Sequence, residues 1–413
     1  MSSFLNPKRT VAELKELRSL TGDENGAQRV AFTPTWLAAR AWLRKRLEEL
    51  PVEIHNDAAG NTWTTLAGAS ERALLIGGHM DSVPNGGWLD GCLNVLAGVE
   101  ILRRIHAQFP DKPPVTVRLV DWADEEGARF GKSLFGSSAC SGNLNLEEAR
   151  GLKDKDGAML PDALKAIGVE LDHANESGKE LENAEAYLEL HIEQGPVLLD
   201  LDLPLGAVLG TFGVERHAIT FHGQAAHSGS TPMNRRKDAF LAAAKMSPEI
   251  YQIARRHGGV CTIGSCTTKP GIVTSVVEEC RITLDLRHLD ASALAAMFAD
   301  ARSAAERFAV EGGVLVSWER LWNIQPVLFN PHLIEFCDQA IAETCGKSHR
   351  LPSGPLHDAA EVARTGVPTV MMFVQSLHGI SHNKIEDTRE EHLELCVRAF
   401  DKLADKAMQW IRE

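Results

Sequence analysis

The sequence predicts an α/β fold: a mostly parallel sheet flanked by helices, with a smaller α+β unit inserted into it. Two observations carry this. Buried-strand runs such as Ala73-Leu74-Leu75-Ile76 alternate with segments of helical spacing, the pattern of βαβ units. Between about 212 and 325 the order changes to strand, helix, strand, strand, helix, which reads as a separate compact unit. No internal repeat or low-complexity tract competes with this reading.

The elements follow in order. Residues 10–50 predict two helices. Thr33-Pro34 opens the second as N-cap and first helical residue, and Trp36, Leu37, Ala41, Leu43 and Leu47 keep helical spacing. A strand over 73–78 precedes a helix marked by Val95, Leu96, Val99, Leu102 and Ile105. Strands follow at 115–120 and 186–190. The insert has a first strand from about 212, a helix over 238–256, strands near 259–265 and 271–286, and a helix over 291–308. A buried strand over 367–374 and a terminal helix near 388–412 complete the chain. The expected division is 1–211 with 325–413 for the larger domain and 212–324 for the insert, with hinges near Leu209-Gly210 and Trp322-Asn323.

With 413 residues, 44% of them hydrophobic, the chain can bury a core without disulfides or a structural metal, so any metal is expected to serve chemistry. A net charge of −13 argues against nucleic acid and anionic membrane surfaces as partners. No apolar run approaches the roughly 20 residues that span a bilayer. The first residues, Met1-Ser2-Ser3-Phe4-Leu5-Asn6-Pro7, lack the apolar stretch of a secretory signal. Eight cysteines without a CxxC pair suggest a reducing cytoplasm and thiols used for packing, with Cys261 and Cys266 the only pair considered for a bridge.

The chemistry gathers at strand ends. His79 and Asp81 follow the strand at 73–78, Asp90 begins the next helix, and Asp124-Glu125-Glu126 follow the strand at 115–120. His191 ends the strand at 186–190, and His382 lies in the loop after 367–374. Each position is at the carboxyl edge of a predicted strand, where open α/β sheets bind ligands. A lone His-x-Asp or acidic triplet is ordinary surface, and a lone His after a strand is ordinary core. The convergence of five distant segments is what points to a site. Two or three imidazoles with several carboxylates and no thiolate suit Zn, Mn, Co or Ni. Two divalent ions about 3.5–4 Å apart need a shared carboxylate, and can activate a water and polarise a carbonyl. A further carboxylate must then take the proton, and adjacent Glu125 and Glu126 can divide that work.

Gly77-Gly78-His79-Met80-Asp81, Leu89-Asp90-Gly91, Asp124-Glu125-Glu126-Gly127, His191-Ile192-Glu193-Gln194-Gly195-Pro196 and Ser381-His382-Asn383 resemble the amidase/hydantoinase/carbamoylase branch of the dinuclear-metal M20 peptidase family. That branch includes N-carbamoyl-L-amino-acid hydrolases, β-ureidopropionases and allantoate amidohydrolases. The resemblance runs from about 58 to 387. It implies two divalent ions per subunit, one held by His79, Asp90 and His191, the other by Asp90, Glu126 and His382. It implies Glu125 as the general base toward a water between the metals, and Asp81 as the carboxylate that orients His79. Gln194 matches a substrate contact. Gly223-Gln224-Ala225-Ala226-His227-Ser228-Gly229 looks like the lid motif whose His reaches the partner subunit's site, making the insert a lid and dimerisation domain of a homodimer. Arg287 matches the clamp for a substrate carboxylate, and Ser353-Gly354 with His357-Asp358-Ala359 matches a loop that supports it.

Departures cluster on the substrate side. Thr274 stands where the branch usually has Asn, Val214 where it has Gln, and Asn94 where it has Gly. Leu356, Gln375, His378 and Lys384 also differ. Thr274 offers no amide donor, so substrate contacts are expected to be reassigned or merely drifted. The expectation is a cytoplasmic, metal-dependent amidohydrolase that cleaves a linear C–N bond in an N-carbamoyl or ureido amino acid. The alternatives are cleavage of an N-acyl amino acid and a non-catalytic binding homologue.

Overall fold

The computed structural model describes residues 4–413. The chain forms two compact units, one running to Leu209 and resuming at Phe329, the other Gly210–Leu328. The first unit lays down helices α1 (Pro7–Thr21) and α2 (Pro34–Leu47), strands β1 (Glu53–Asn56), β2 (Thr62–Leu66) and β3 (Ala73–His79), helix α3 (Cys92–Gln108), and strands β4 (Thr116–Trp122), β5 (Ala184–Ile192) and β6 (Leu205–Thr211). The second unit holds β7 (Gly213–His222), α4 (Ala239–His257), β8 (Val260–Lys269), β9 (Glu279–His288), α5 (Ala291–Gly312) and β10 (Leu315–Ile324). The first unit ends with α6 (Pro331–Cys345), β11 (Thr369–Val374) and α7 (Glu390–Arg412).

The sheet of the first unit runs β6-β11-β5-β3-β4-β2-β1. Its centre, β11-β5-β3-β4, is parallel, and β6, β2 and β1 extend it antiparallel. Parallel strands need both faces covered. Accordingly every residue of β3 and of β11 is buried. Helix α3 is buried from Cys92 to Ile105, so the charged residues it carries must be paired. Its Arg103 and Arg104 pair with Glu13 of α1 and Asp401 of α7. Gly77 and Gly91 permit two close approaches. A Cβ at Gly77 would fall 2.3 Å from the Tyr187 hydroxyl, and one at Gly91 would fall 2.4 Å from the His79 ring. Gly91 also takes φ +66, where a side chain is strained.

The second unit is a four-stranded antiparallel sheet, β8-β9-β7-β10. Helices α4 and α5 cover one face, packing Met246, Ile250 and Met297 with Phe221, Ile282 and Leu284. Strand β9 alternates half-buried with buried residues, as a one-sided sheet should. The sequence predicts a helix as the last element of this unit, but β10 follows it. Trp322 and Asn323, expected at a hinge, pair with Arg216 and Glu215 of β7 inside that strand. The strand expected over 271–286 begins at Glu279, because Ser275–Val276 form a separate two-residue strand. All eight thiols are free, and Cys266 has its sulfur 3.6 Å from Cys280 rather than paired with Cys261. Among the described residues, no helix is long and apolar enough to cross a membrane.

Candidate metal centre

The parallel strands deliver their carboxyl ends to one place. His79 is the last residue of β3, His191 is the penultimate residue of β5, and Glu126 follows β4. Asp90 precedes α3, and His382 lies in the loop after β11. Asp90 is central: its Oδ1 lies 3.1 Å from His191 Nε2 and 3.7 Å from His79 Nε2, while its Oδ2 lies 3.5 Å from His382 Nε2. His382 Nε2 is 3.2 Å from Glu126 Oε2. The donor atoms fall into two sets able to hold an ion, His79 with Asp90 and His191, and Asp90 with Glu126 and His382. Asp90 gives one oxygen to each.

Surrounding groups fix these side chains. His79 Nδ1 lies 3.2 Å from the Asp81 carbonyl and 3.5 Å from its carboxylate, so its proton belongs there and Nε2 faces the site. His191 Nδ1 lies 2.8 Å from the Ile192 carbonyl, with the same result. The buried Asp81 carboxylate also accepts the N–H groups of Glu125 (3.3 Å) and Glu126 (3.1 Å). Asp124, Gln194 and His382 take positive φ of 57°, 59° and 54°. Such backbone costs about 1–3 kcal/mol per residue and persists where its surroundings impose it, most often at functional sites.

The electrostatics favour cations. Burial pushes the carboxyls of Asp124, Glu125 and Asp358 well above the usual range, and burial with the neighbouring Asp90 charge pushes Glu126 up to about 9. Burial disfavours charge on His79, yet Glu125, Asp81 and Asp90 raise it. Burial acts to raise Asp90, but His191, His79 and His382 hold its carboxyl low. The pocket thus gathers more acid than its own cations neutralise. His79 Nε2, Glu126 Oε1 and Gln194 Oε1 are buried without a hydrogen-bond partner. Unpaired donor atoms in an acid-rich pocket fit divalent cations, with ligands of the hard-to-borderline kind.

Among the expected substrate contacts, Gln194 lies in this centre, its amide nitrogen 2.9 Å from Asp90 Oδ2 and 3.2 Å from Ser381 Oγ. Gly354 follows the strand Arg350–Ser353 in a loop whose His357 ring lies 4.4 Å from that of His191 and bonds Ser353. The second unit brings His227 and Thr274 together: Ser228 N–H donates to the Thr274 carbonyl, and His227 pairs with Ser275. Arg287 stands on β9, held by Asp285 Oδ1 at 2.8 Å. Two departures prove to be packing positions. Val214 is buried on β7 opposite Arg287, and Gln375 donates to the carbonyls of Leu198 and Leu203.

Several groups escaped the sequence reading. Glu189 is buried two residues before His191 and accepts from the Tyr187 hydroxyl (2.7 Å) and Ala359 N–H (3.0 Å). Tyr187, Glu189 and His191 share one face of β5, so an acid at period two in an apolar strand was the available signal. Asp121 anchors Met80 N–H at 2.8 Å, and Arg29, fully buried, donates to the Met80 carbonyl at 2.9 Å. Glu386 binds the backbone at Asp90, and burial pushes its carboxyl up to about 7.

Comparison with known proteins finds a matching family and relatives of similar length. The profile of peptidase family M20/M25/M40 matches residues 75–406. An N-carbamoyl-L-amino acid amidohydrolase of Geobacillus stearothermophilus is 35% identical over 371 residues, covering 89% of this chain and 90% of that one. An allantoate amidohydrolase of Escherichia coli is 32% identical, covering 88% of each. A crystal structure of an amidase of the hydantoinase/carbamoylase family from Burkholderia multivorans superposes with a TM-score of 0.88 at 31% identity, covering 99% of both chains.

Proposed function

The chain belongs to peptidase family M20/M25/M40, and from that membership we propose that it hydrolyses a linear C–N bond in an N-carbamoyl, or ureido, amino acid. The observation that carries the reading is Asp90 shared between two donor sets with Glu125 outside both. Relatives of matching length named for N-carbamoyl-amino-acid and allantoate hydrolysis support the substrate class.

Two divalent ions, of which Zn, Mn, Co and Ni all suit the donors, would be held by His79, Asp90 and His191 and by Asp90, Glu126 and His382, acidifying a water and polarising the substrate carbonyl. Glu125 takes the proton from the attacking water and returns it to the leaving nitrogen. Burial, with Asp358, Glu126 and Asp81 near it, outweighs His79 and raises its hold on a proton, as suits a base working near neutral pH. Asp81, on the N–H groups of both Glu125 and Glu126, keeps the base and the ligand in their separate places.

The second unit supplies the remaining roles as a lid and dimerisation domain. His227 Nδ1 accepts N–H from Gly229 (3.1 Å) and Ser230 (3.2 Å). The neutral ring therefore carries its proton on Nε2 and offers it to an oxyanion. Arg287, steadied by Asp285, presents a fork suited to the substrate carboxylate. Gln194, Thr274 and Gly354 complete the substrate contacts. The active form in this reading is a cytoplasmic homodimer in which His227 serves the partner subunit's site. The products are the amino acid, ammonia and carbon dioxide.

The test is a panel of N-carbamoyl, ureido and N-acyl amino acids offered to the metal-loaded protein. Equal release of amino acid and ammonia from a carbamoyl substrate is expected. Release of a carboxylic acid from N-acyl substrates, with no ammonia from any other, would replace this reading.

Metal uptake is expected to depend on pH with a defined sign. Glu126, at about 9, is protonated at neutral pH without metal and must ionise to act as a ligand. Apparent affinity should therefore rise with pH by about tenfold per unit for each proton displaced. Calorimetric titrations at about pH 6 and 8, in buffers of different ionisation enthalpy, read both the affinity and the proton release. An affinity that is flat across that interval would remove Glu126 from the ligands.

A further inference from the structure

One buried acid links the loops that carry Asp90 and His382. Glu386 is 2% exposed. Its Oε1 accepts the N–H groups of Leu89 (3.2 Å) and Asp90 (3.1 Å), and its Oε2 lies 2.6 Å from Ser381 Oγ. Ser381 Oγ also lies 3.1 Å from Asp90 Oδ2, the oxygen that faces His382. A serine hydroxyl has one proton, and an ionised carboxylate can only accept. Glu386 and Asp90 therefore compete for the same hydrogen, and the shorter contact is to Glu386. The Gln194 amide nitrogen donates to both oxygens, at 2.9 Å from Asp90 Oδ2 and 3.2 Å from Ser381 Oγ, so Ser381 has only its own proton to give.

We propose that Glu386 is a positioning residue that draws the Ser381 proton away from Asp90, so that Asp90 Oδ2, which already accepts the Gln194 amide N–H, keeps its other lone pair to hold a cation together with Glu126 and His382. Through its other oxygen it also fixes the backbone on which Asp90 stands. The inference rests on the metal part of the functional reading and is independent of the substrate.

The test is Glu386→Gln. The carboxamide oxygen can still accept from Leu89 and Asp90, but its NH2 group then donates to Ser381 Oγ. Asp90 Oδ2 becomes the acceptor left for the Ser381 proton, and the hydrogen bond competes with the cation. Titration of the metal-free protein with Mn or Zn should show affinity for the second equivalent falling about 10–100-fold, the range for groups that orient ligands. The first equivalent and the melting temperature of the metal-free protein should stay as in wild type. The double variant Ser381→Ala/Glu386→Gln has no hydroxyl proton to misdirect, and should recover the second equivalent to within about threefold of wild type by the same logic.

Unchanged binding in Glu386→Gln overturns the proposal. So does a loss that the double variant fails to repair, because the damage then lies in the loop rather than in the proton. If Glu386→Gln does not fold, Ser381→Ala alone decides: loss of a hydroxyl that serves Glu386 leaves the second equivalent within about threefold, and a larger loss overturns the proposal. These titrations contain no substrate, so their failure leaves the hydrolytic reading standing. A protein that takes up no second equivalent overturns this proposal and the two-metal site together.

Discussion

Replacing Glu125 by Gln is expected to lower kcat by about 10²–10⁴-fold, the contribution of a positioned general base, with KM and metal content close to wild type. The expectation follows from its place outside both donor sets, buried beside them with Oε2 3.8 Å from His79 Nε2. Gln keeps the size and the backbone N–H that Asp81 accepts, and loses only the capacity to take a proton. Turnover on a carbamoyl substrate, with metal analysis of the same preparation, reads the result. A variant that loses metal along with activity would make Glu125 a ligand instead, and one that keeps near-normal kcat would end its assignment as base.

His227→Ala is expected to cost about 10²–10³ in kcat, the range for one oxyanion donor. His227 is exposed and its Nδ1 is engaged only by neighbouring backbone amides, so the substitution disturbs little of the fold. If the His serves the partner's site, mixing inactive Glu125→Gln and His227→Ala subunits restores one complete site in each mixed dimer. Random exchange in a two-fold dimer then returns about a quarter of wild-type activity. No recovery after verified subunit exchange would place His227 in its own subunit's site or outside the chemistry.

The residues of the candidate metal centre were legible because strand ends are. His79, Glu126 and His191 each follow an apolar run of strand character, and a parallel sheet delivers such ends to one edge. The sharing of Asp90 was expected from the resemblance, but which of its oxygens faces which histidines is seen only in the structure, with Oδ1 toward His79 and His191 and Oδ2 toward His382. Glu386 was hidden, since two of its partners are backbone N–H groups nearly three hundred positions away in the chain, which carry no residue signature. Strand β10 and the end of the second unit were missed for another reason. In 315–324 Val316 and Trp318 pack against the core, but the register shifts between Arg320 and Trp322 and the alternation that marks a half-buried strand stops there. Gln375 was legible as a departure but not as to its direction, which only the carbonyls of Leu198 and Leu203 reveal.

The two donor sets differ in their access to solvent. The side chains of His79 and His191 are 2% and 3% exposed, whereas that of His382 is 50% exposed. In the two-metal reading proposed above, an ion in the inner set would exchange only when the surrounding chain opens, while one in the outer set would be reached by chelators from the His382 side. Dialysis against a weak chelator would strip the outer ion first and leave a half-loaded protein, so the catalytic capacity of a preparation would follow the ambient supply of whichever metal fills the outer position.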